Sequence, residues 1–202
     1  MAYLYLRIIG IALIKSLEKG YIMVLKRKIY QKLLDWKNEY QGSKALMVEG
    51  ARRVGKSTVC EEFGKNEYEK YLLIDFALKD EEVKSYFYKY LNDLDTFFML
   101  LQAHFGIELK ERKSLIIFDE VQMFPQARAA IKYLVKDGRY DYIETGSLIS
   151  IKENVADIVI PSEERSINMY PLDFEEFLIA LNQETLIDYI KKCFNSRVPL
   201  EV

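Results

Sequence analysis

Nine consecutive residues, Gly50-Ala51-Arg52-Arg53-Val54-Gly55-Lys56-Ser57-Thr58, combine two glycines, a lysine and two hydroxyls at a spacing suited to one task. Glycines let a loop curl so that successive backbone N–H groups face phosphate oxygens. A helix beginning at Lys56 would add its unpaired N-terminal donors and the positive end of its dipole. Lys56 would reach the β- and γ-phosphates, and the Ser57 hydroxyl would become a ligand of the Mg²⁺ that travels with the nucleotide. The stretch therefore reads as a nucleoside triphosphate cradle, with Gly50 to Thr58 as its contacts.

A second group is acidic. Asp119 and Glu120 end the run "SLIIFDE", Ser114 to Glu120. Asp119 would sit at the edge where a parallel sheet presents its ligand site. From there it would hold Mg²⁺ through water, opposite Ser57. Adjacent carboxylates repel unless a cation or a shared proton relieves them. Glu120 is therefore read as the catalytic group that orients and deprotonates the water attacking the γ-phosphate. A capping or solvated acid is the competing reading, and the upstream loop favours the catalytic one.

A third group, Glu144, Thr145, Gly146 and Ser147, closes another strand candidate. In an additional-strand phosphate-loop fold this strand lies between those carrying the loop and the acidic pair. A hydroxyl there would bond the γ-phosphate or the attacking water. Thr145 is the first choice and Ser147 the second, against simple turn chemistry. The developing negative charge also calls for a further cation. Arg52, Arg53, Arg128, Arg139 and Arg165 are candidates, with nothing to choose among them.

The elements that must position these groups alternate along the chain. Leu25, Ile29, Leu33, Trp36 and Tyr40 recur at helical spacing, so residues 25 to 41 should form an amphipathic helix. Strand candidates follow at 45–48, 71–76, 114–120, 140–146 and 166–170. Between them come helices at 56–63, ended by Gly64, then 80–91, 94–105 and 125–137, the last opened by Pro125. Leu94, Phe97, Phe98, Leu101 and Phe105 share a face and read as core. Asp173 and Glu176 stand in capping-box spacing before an apolar run. Strands separated by helices imply parallel pairing and an α/β layered fold.

Composition agrees with a folded domain. The 202 residues are 50% apolar and 30% charged, and the net charge is only -2, so no global basic field points to nucleic acid or an anionic membrane. Cys60 and Cys193 stand far apart in no metal-ligand spacing, which favours a reducing, cytoplasmic setting. His104, the single histidine, has no partner ligands nearby and reads as packed or surface imidazole. Residues 1–22 are apolar, but Arg7 and Lys15 leave runs well short of the roughly 20 residues a membrane helix needs. Two readings of this segment stand: an extension outside the native domain, with Met23 as the working start, or a helix packed on the domain.

"EGARRVGKST", "SLIIFDEVQMFP", "GRYDYIETGSLIS" and "INMYPLDFEEFL" occur in this order, and together they resemble the prokaryotic AAA-like ATPases of the STAND type. The resemblance covers about Val24 to Leu181. The acid pair followed by Val-Gln and the Tyr-Pro-Leu-x-Phe-x-Glu-Phe segment are its more specific parts. It implies a three-layer P-loop NTPase fold with a five-stranded parallel sheet of order 5-1-4-3-2, Mg²⁺-dependent ATP binding, and slow or regulated hydrolysis. Carried over by position, the loop is Gly50 to Ser57, the carboxylates are Asp119 and Glu120, and the sensor-like group lies in Thr145 to Ser147. The implied organisation is an extension at 1–22, an ATPase domain at 23–181 and a helical tail at 182–202. Relatives continue into a helical, DNA-binding-like or nuclease-like region, so the expectation is a module whose C-terminal effector domain is missing.

A GTPase would carry an Asn-Lys-x-Asp element, which this sequence lacks. A small-molecule kinase fits poorly with a paired Asp119-Glu120 suited to activating water. The remaining alternative to an ATPase is a nucleotide-binding module with little hydrolysis that needs a homo-oligomeric or partner protein. Nucleic acid enters by family analogy, with Lys26, Arg27, Lys28 and Lys32 as a basic cluster on the first helix; phosphate contacts there would weaken steeply with salt.

Overall fold

The computed structural model describes residues 25–147 and 162–199, so the expectations for residues 1–22 lie outside the described residues. The chain divides into two units, Ile29–Pro171 and a second one of Met1–Lys28 with Leu172–Val202.

Among the described residues the larger unit is built on five strands: β1 (Ala45–Gly50), β2 (Lys70–Asp75), β3 (Ser114–Asp119), β4 (Asp141–Ser147) and β5 (Glu164–Met169). All pairings are parallel and the order is β2-β3-β4-β1-β5, the expected 5-1-4-3-2 read from the other edge. The interior strand β3 forms around the apolar run Leu115–Phe118 and is buried at all six positions, while β5 at the sheet edge is polar and largely exposed. Helices cover both faces, so a strand such as β3 meets no water.

Alternation of side chains sorts the core into two layers. On one face, α1 (Ile29–Tyr40) and α2 (Lys56–Glu67) pack Leu33, Trp36, Cys60 and Phe63 against Leu46, Val48, Leu115, Ile117 and Ile143. On the other, α3 (Glu81–Lys89), α4 (Leu94–Phe105) and α5 (Pro125–Asp137) cover Met47, Ile116, Phe118 and Tyr142. Aromatic rings knit this second layer edge to face, as in Phe87–Phe97 at 5.0 Å and Phe87–Phe118 at 5.7 Å.

Several boundaries differ from expectation for physical reasons. The α2 helix runs on through Gly64, because that glycine is a packing residue: a Cβ there would come within 2.9 Å of Tyr71 Cβ. In the α4 stripe Phe97, Phe98 and Leu101 are buried, while Phe105 at the last turn is exposed. His104 is a surface imidazole 2.8 Å from Asp80, the N-cap of α3.

In the second unit, α6 (Phe174–Ala180) is opened by the expected capping box: Asp173 accepts from the Glu176 N–H at 2.8 Å and Glu176 accepts from the Asp173 N–H at 3.1 Å. The amphipathic α7 (Glu184–Ser196) follows. Leu25 to Lys28 were expected to be helical, but α1 starts only at Ile29. The Lys28 N–H is instead given to the Glu176 carboxylate at 2.7 Å, and Arg27 Nε lies 3.2 Å from the same oxygen.

Candidate functional site

The loop between β1 and α2 sits at the C-terminal edge of the sheet. Gly50 is the last residue of β1, and a Cβ added there would meet the Met169 carbonyl oxygen of β5 at 2.2 Å. Glycine is thus required by a close backbone approach, quite apart from any ligand. Gly55 adopts φ 95°, a left-handed conformation that costs glycine nothing, and Arg53 enters the same region at φ 64°. Ala51, Arg52, Arg53 and Thr58 are exposed, Val54, Gly55 and Ser57 half-buried.

Lys56 is buried, with 4% of its surface exposed. Its Nζ donates to the carbonyl oxygens of Ala51 (2.9 Å) and Gly50 (3.2 Å), at the start of its own loop. No carboxylate is within ion-pair distance among the described residues. A buried ammonium answered only by neutral carbonyls is costly unless an anion completes its surroundings. This is the environment a phosphate would suit.

Register brings the acidic group to the same place. Asp119 shares the α2 face of the sheet with Leu115 and Ile117, and Thr145 shares it with Ile143. The Ser57 hydroxyl, one residue into α2, donates to Asp119 Oδ1 at 2.8 Å, and Thr145 Oγ1 donates to that same oxygen. A hydroxyl beside a carboxylate is the hard oxygen donor set that Mg²⁺ takes alongside phosphate oxygens. The residues present therefore fit a magnesium nucleotide.

Glu120 follows with φ 55°, a left-handed conformation that is uncommon away from glycine and costs of order 1 kcal/mol. Thr145 Oγ1 accepts its backbone N–H at 3.2 Å. The Glu120 carboxylate accepts from Gln122 Nε2, and Gln122 Oε1 accepts the Ser147 N–H at 3.4 Å. Thr145 is fully buried, and its hydroxyl bonds both members of the acidic pair. Sequence reasoning gave Gln122 no role; its place two residues after Glu120 was the available signal. Cys60, one turn along α2, is fully buried, and burial together with nearby Asp119 pushes its thiol well above the ordinary range.

The arginine candidates separate clearly. Arg128 lies beneath the other face of the sheet, with Nε 3.0 Å and Nη2 2.8 Å from the two Glu164 oxygens. Arg139 is tied to Asp137 and Asp95, each at 2.7 Å. Arg165 is opposite Leu46, near the start of β1, and so at the wrong end of the strands. Arg52 and Arg53 remain, exposed on the loop itself. The basic cluster is largely neutralised: Lys26 lies 3.7 Å from Glu184, Arg27 pairs with Glu176, and Lys28 pairs with Asp173 at 2.6 Å and with Glu175. Lys32 stays exposed on α1.

A family model described as an AAA domain matches residues 42–178. No curated protein matches the chain. Among solved structures, the crystal structure of a DNA replication initiation factor aligns with a TM-score of 0.45 and 11% identity, over 89% of this chain and 55% of that one. The chain thus spans about half the length of that protein. Among the described residues no helix is long and apolar enough to cross a membrane.

Proposed function

Because the chain belongs to the AAA domain family, we propose that Ile29–Pro171 binds ATP with Mg²⁺ at the Gly50–Thr58 loop and hydrolyses it. The observation that carries this reading is Lys56, a buried cation held by two loop carbonyls and, among the described residues, matched by no carboxylate. Lys56 exchanges those carbonyls for the β- and γ-phosphates. Ser57 and Asp119 would hold Mg²⁺, which when bound would neutralise charge on the phosphates. Glu120 takes the proton of the attacking water, and the γ-phosphoryl group leaves ADP for that water oxygen. Thr145 keeps Asp119 and Glu120 in register with each other.

The second reading is a nucleotide-holding module with little turnover of its own. It is favoured by the placement of Arg128, Arg139 and Arg165 away from the loop, which leaves the stabilising cation to Arg52 or Arg53 or to a second copy or partner protein. The Tyr170-Pro171-Leu172 segment with Phe174, Glu176 and Phe177 supports placement in the STAND-type branch, where turnover would drive or regulate an effector domain. Two buried free thiols, Cys60 and Cys193, accord with work in the cytoplasm.

Calorimetric titration of the full chain with ATP, with and without Mg²⁺, tests the site. ATP should bind, and more tightly with Mg²⁺. Lys56→Ala should weaken binding by about 100-fold or more, the scale of a lost charge-assisted pair. Wild-type affinity in that variant would remove the loop from the account.

A further inference from the structure

Gln122 is 4% exposed, unusual for a side chain that carries both donors and an acceptor. Burying a primary amide is costly unless both ends are answered. Here both are: Nε2 donates to the Glu120 carboxylate, and Oε1 accepts the Ser147 N–H. The orientation is forced, since a reversed amide would set its NH₂ against an N–H and its oxygen against a carboxylate.

Local geometry explains how residue 122 reaches back to residue 120. The left-handed Glu120 starts a 3-10 turn, Val121–Met123, that folds the chain on itself directly after β3. Glu120 is then held at two points by one strand. Thr145 takes its backbone N–H, while Gln122 takes its carboxylate and passes the connection to Ser147. Both anchors lie on the last three residues of β4.

We infer that Gln122 is a positioning residue, which orients the Glu120 carboxylate by bridging it to the C-terminal end of β4. This deepens the proposed function and rests on Glu120 being the group that activates water. A carboxylate swinging freely at the end of β3 would sample many rotamers, and a misplacement of about 1 Å can cost on the order of 100-fold in rate. Gln122 removes that freedom without touching nucleotide, so its loss falls on turnover and spares binding.

Two measurements on the full chain test the inference. In the nucleotide-free protein, NMR should show the Gln122 side-chain amide protons protected from exchange, and their resonances should move when Glu120→Ala removes the acceptor. In Gln122→Met, the Ser147 amide should exchange faster. Gln122 amide resonances that ignore Glu120→Ala would overturn the bridge, whatever the chain does with ATP.

The second measurement is phosphate release. Gln122→Met should lower kcat about ten- to 100-fold with ATP affinity retained. The same substitution placed on Glu120→Gln should cost nothing further, because the group it positions is already gone. An equal fractional loss in both backgrounds would show a merely structural residue and refute the assignment. Wild-type protein that binds ATP but releases no phosphate would sink the hydrolysis reading alone, and the amide measurement would then decide on Gln122.

Discussion

Glu144 and Thr145 are neighbours on β4, both with 0% exposure, yet alternation of the strand sends them to opposite faces of the sheet and into contrasting company. On the α2 side, the Thr145 hydroxyl is satisfied both ways, donating to Asp119 and accepting from the Glu120 N–H. On the α5 side, Arg128 gives Nε and Nη2 to Glu164, and among the described residues its Nη1 and both Glu144 oxygens have no hydrogen-bond partner. Burial, then the neighbouring Glu164, pushes the Glu144 carboxyl well above its ordinary 4.5, and Arg128 only partly opposes this. One face has a polar network whose members answer one another. The other pairs one guanidinium with Glu164 and buries the Glu144 carboxyl beside them with no hydrogen-bond partner among the described residues. Buried polar groups of the first kind fix geometry for chemistry, while those of the second make stability depend on charge state.

If that contrast is right, damage to the two faces should be read by different instruments. The largest expected effect on stability is Arg128→Ala, which leaves the Glu164 carboxylate buried without its cation. Removing one partner of a buried pair costs roughly 3–5 kcal/mol. In a chain of this size that lowers Tm by about 10 °C in scanning calorimetry. ATP affinity of the folded fraction should stay near wild type.

On the opposite face, Thr145→Val keeps the shape and deletes two hydrogen bonds, leaving the Glu120 N–H unanswered. Stability should fall by about 1–3 kcal/mol. Phosphate release should suffer beyond what that loss explains, and a proportionate loss in both quantities would erase the distinction between the faces.

The smallest effect sharpens the comparison through pH. Glu144 binds its proton more tightly folded than unfolded, so the folded state is favoured below about 4.5 and that advantage is lost as pH rises above it. Glu144→Gln removes the dependence. In urea unfolding the variant should gain on the wild type between pH 5 and pH 8, whereas Thr145→Val should show no such trend. A constant offset across that range would mean that Glu144 is charged in the fold.

Much of this organisation was legible beforehand. The strands, the helix Pro125–Asp137, the Asp173–Glu176 capping box and the elements carrying Lys56, Ser57 and Asp119 follow from apolar runs, caps and motif spacing, whereas the strand order is what the family resemblance implies. These signals are local or periodic, which is what a sequence records best. Glu144 was grouped with Thr145 as one polar strand end, although a period of two would have separated them. Gly64 reads as a stop in the sequence because propensity does not report that Tyr71 packs over it. The helical spacing that includes Arg27 and Lys28, and the silence of the sequence about Gln122, have the same cause. The positions of these three residues are set by Glu176, Glu120 and Ser147, partners that only the folded chain brings near.

Glu120 is proposed to activate water for an ATP held by Lys56. Phosphate release from Mg·ATP by the full chain, measured beside Glu120→Gln, tests this role most directly. The wild type should turn over, and Glu120→Gln should bind ATP with unchanged affinity while turnover falls about 10²–10⁴-fold, the usual worth of a general base. Equal turnover in the two proteins would contradict the account.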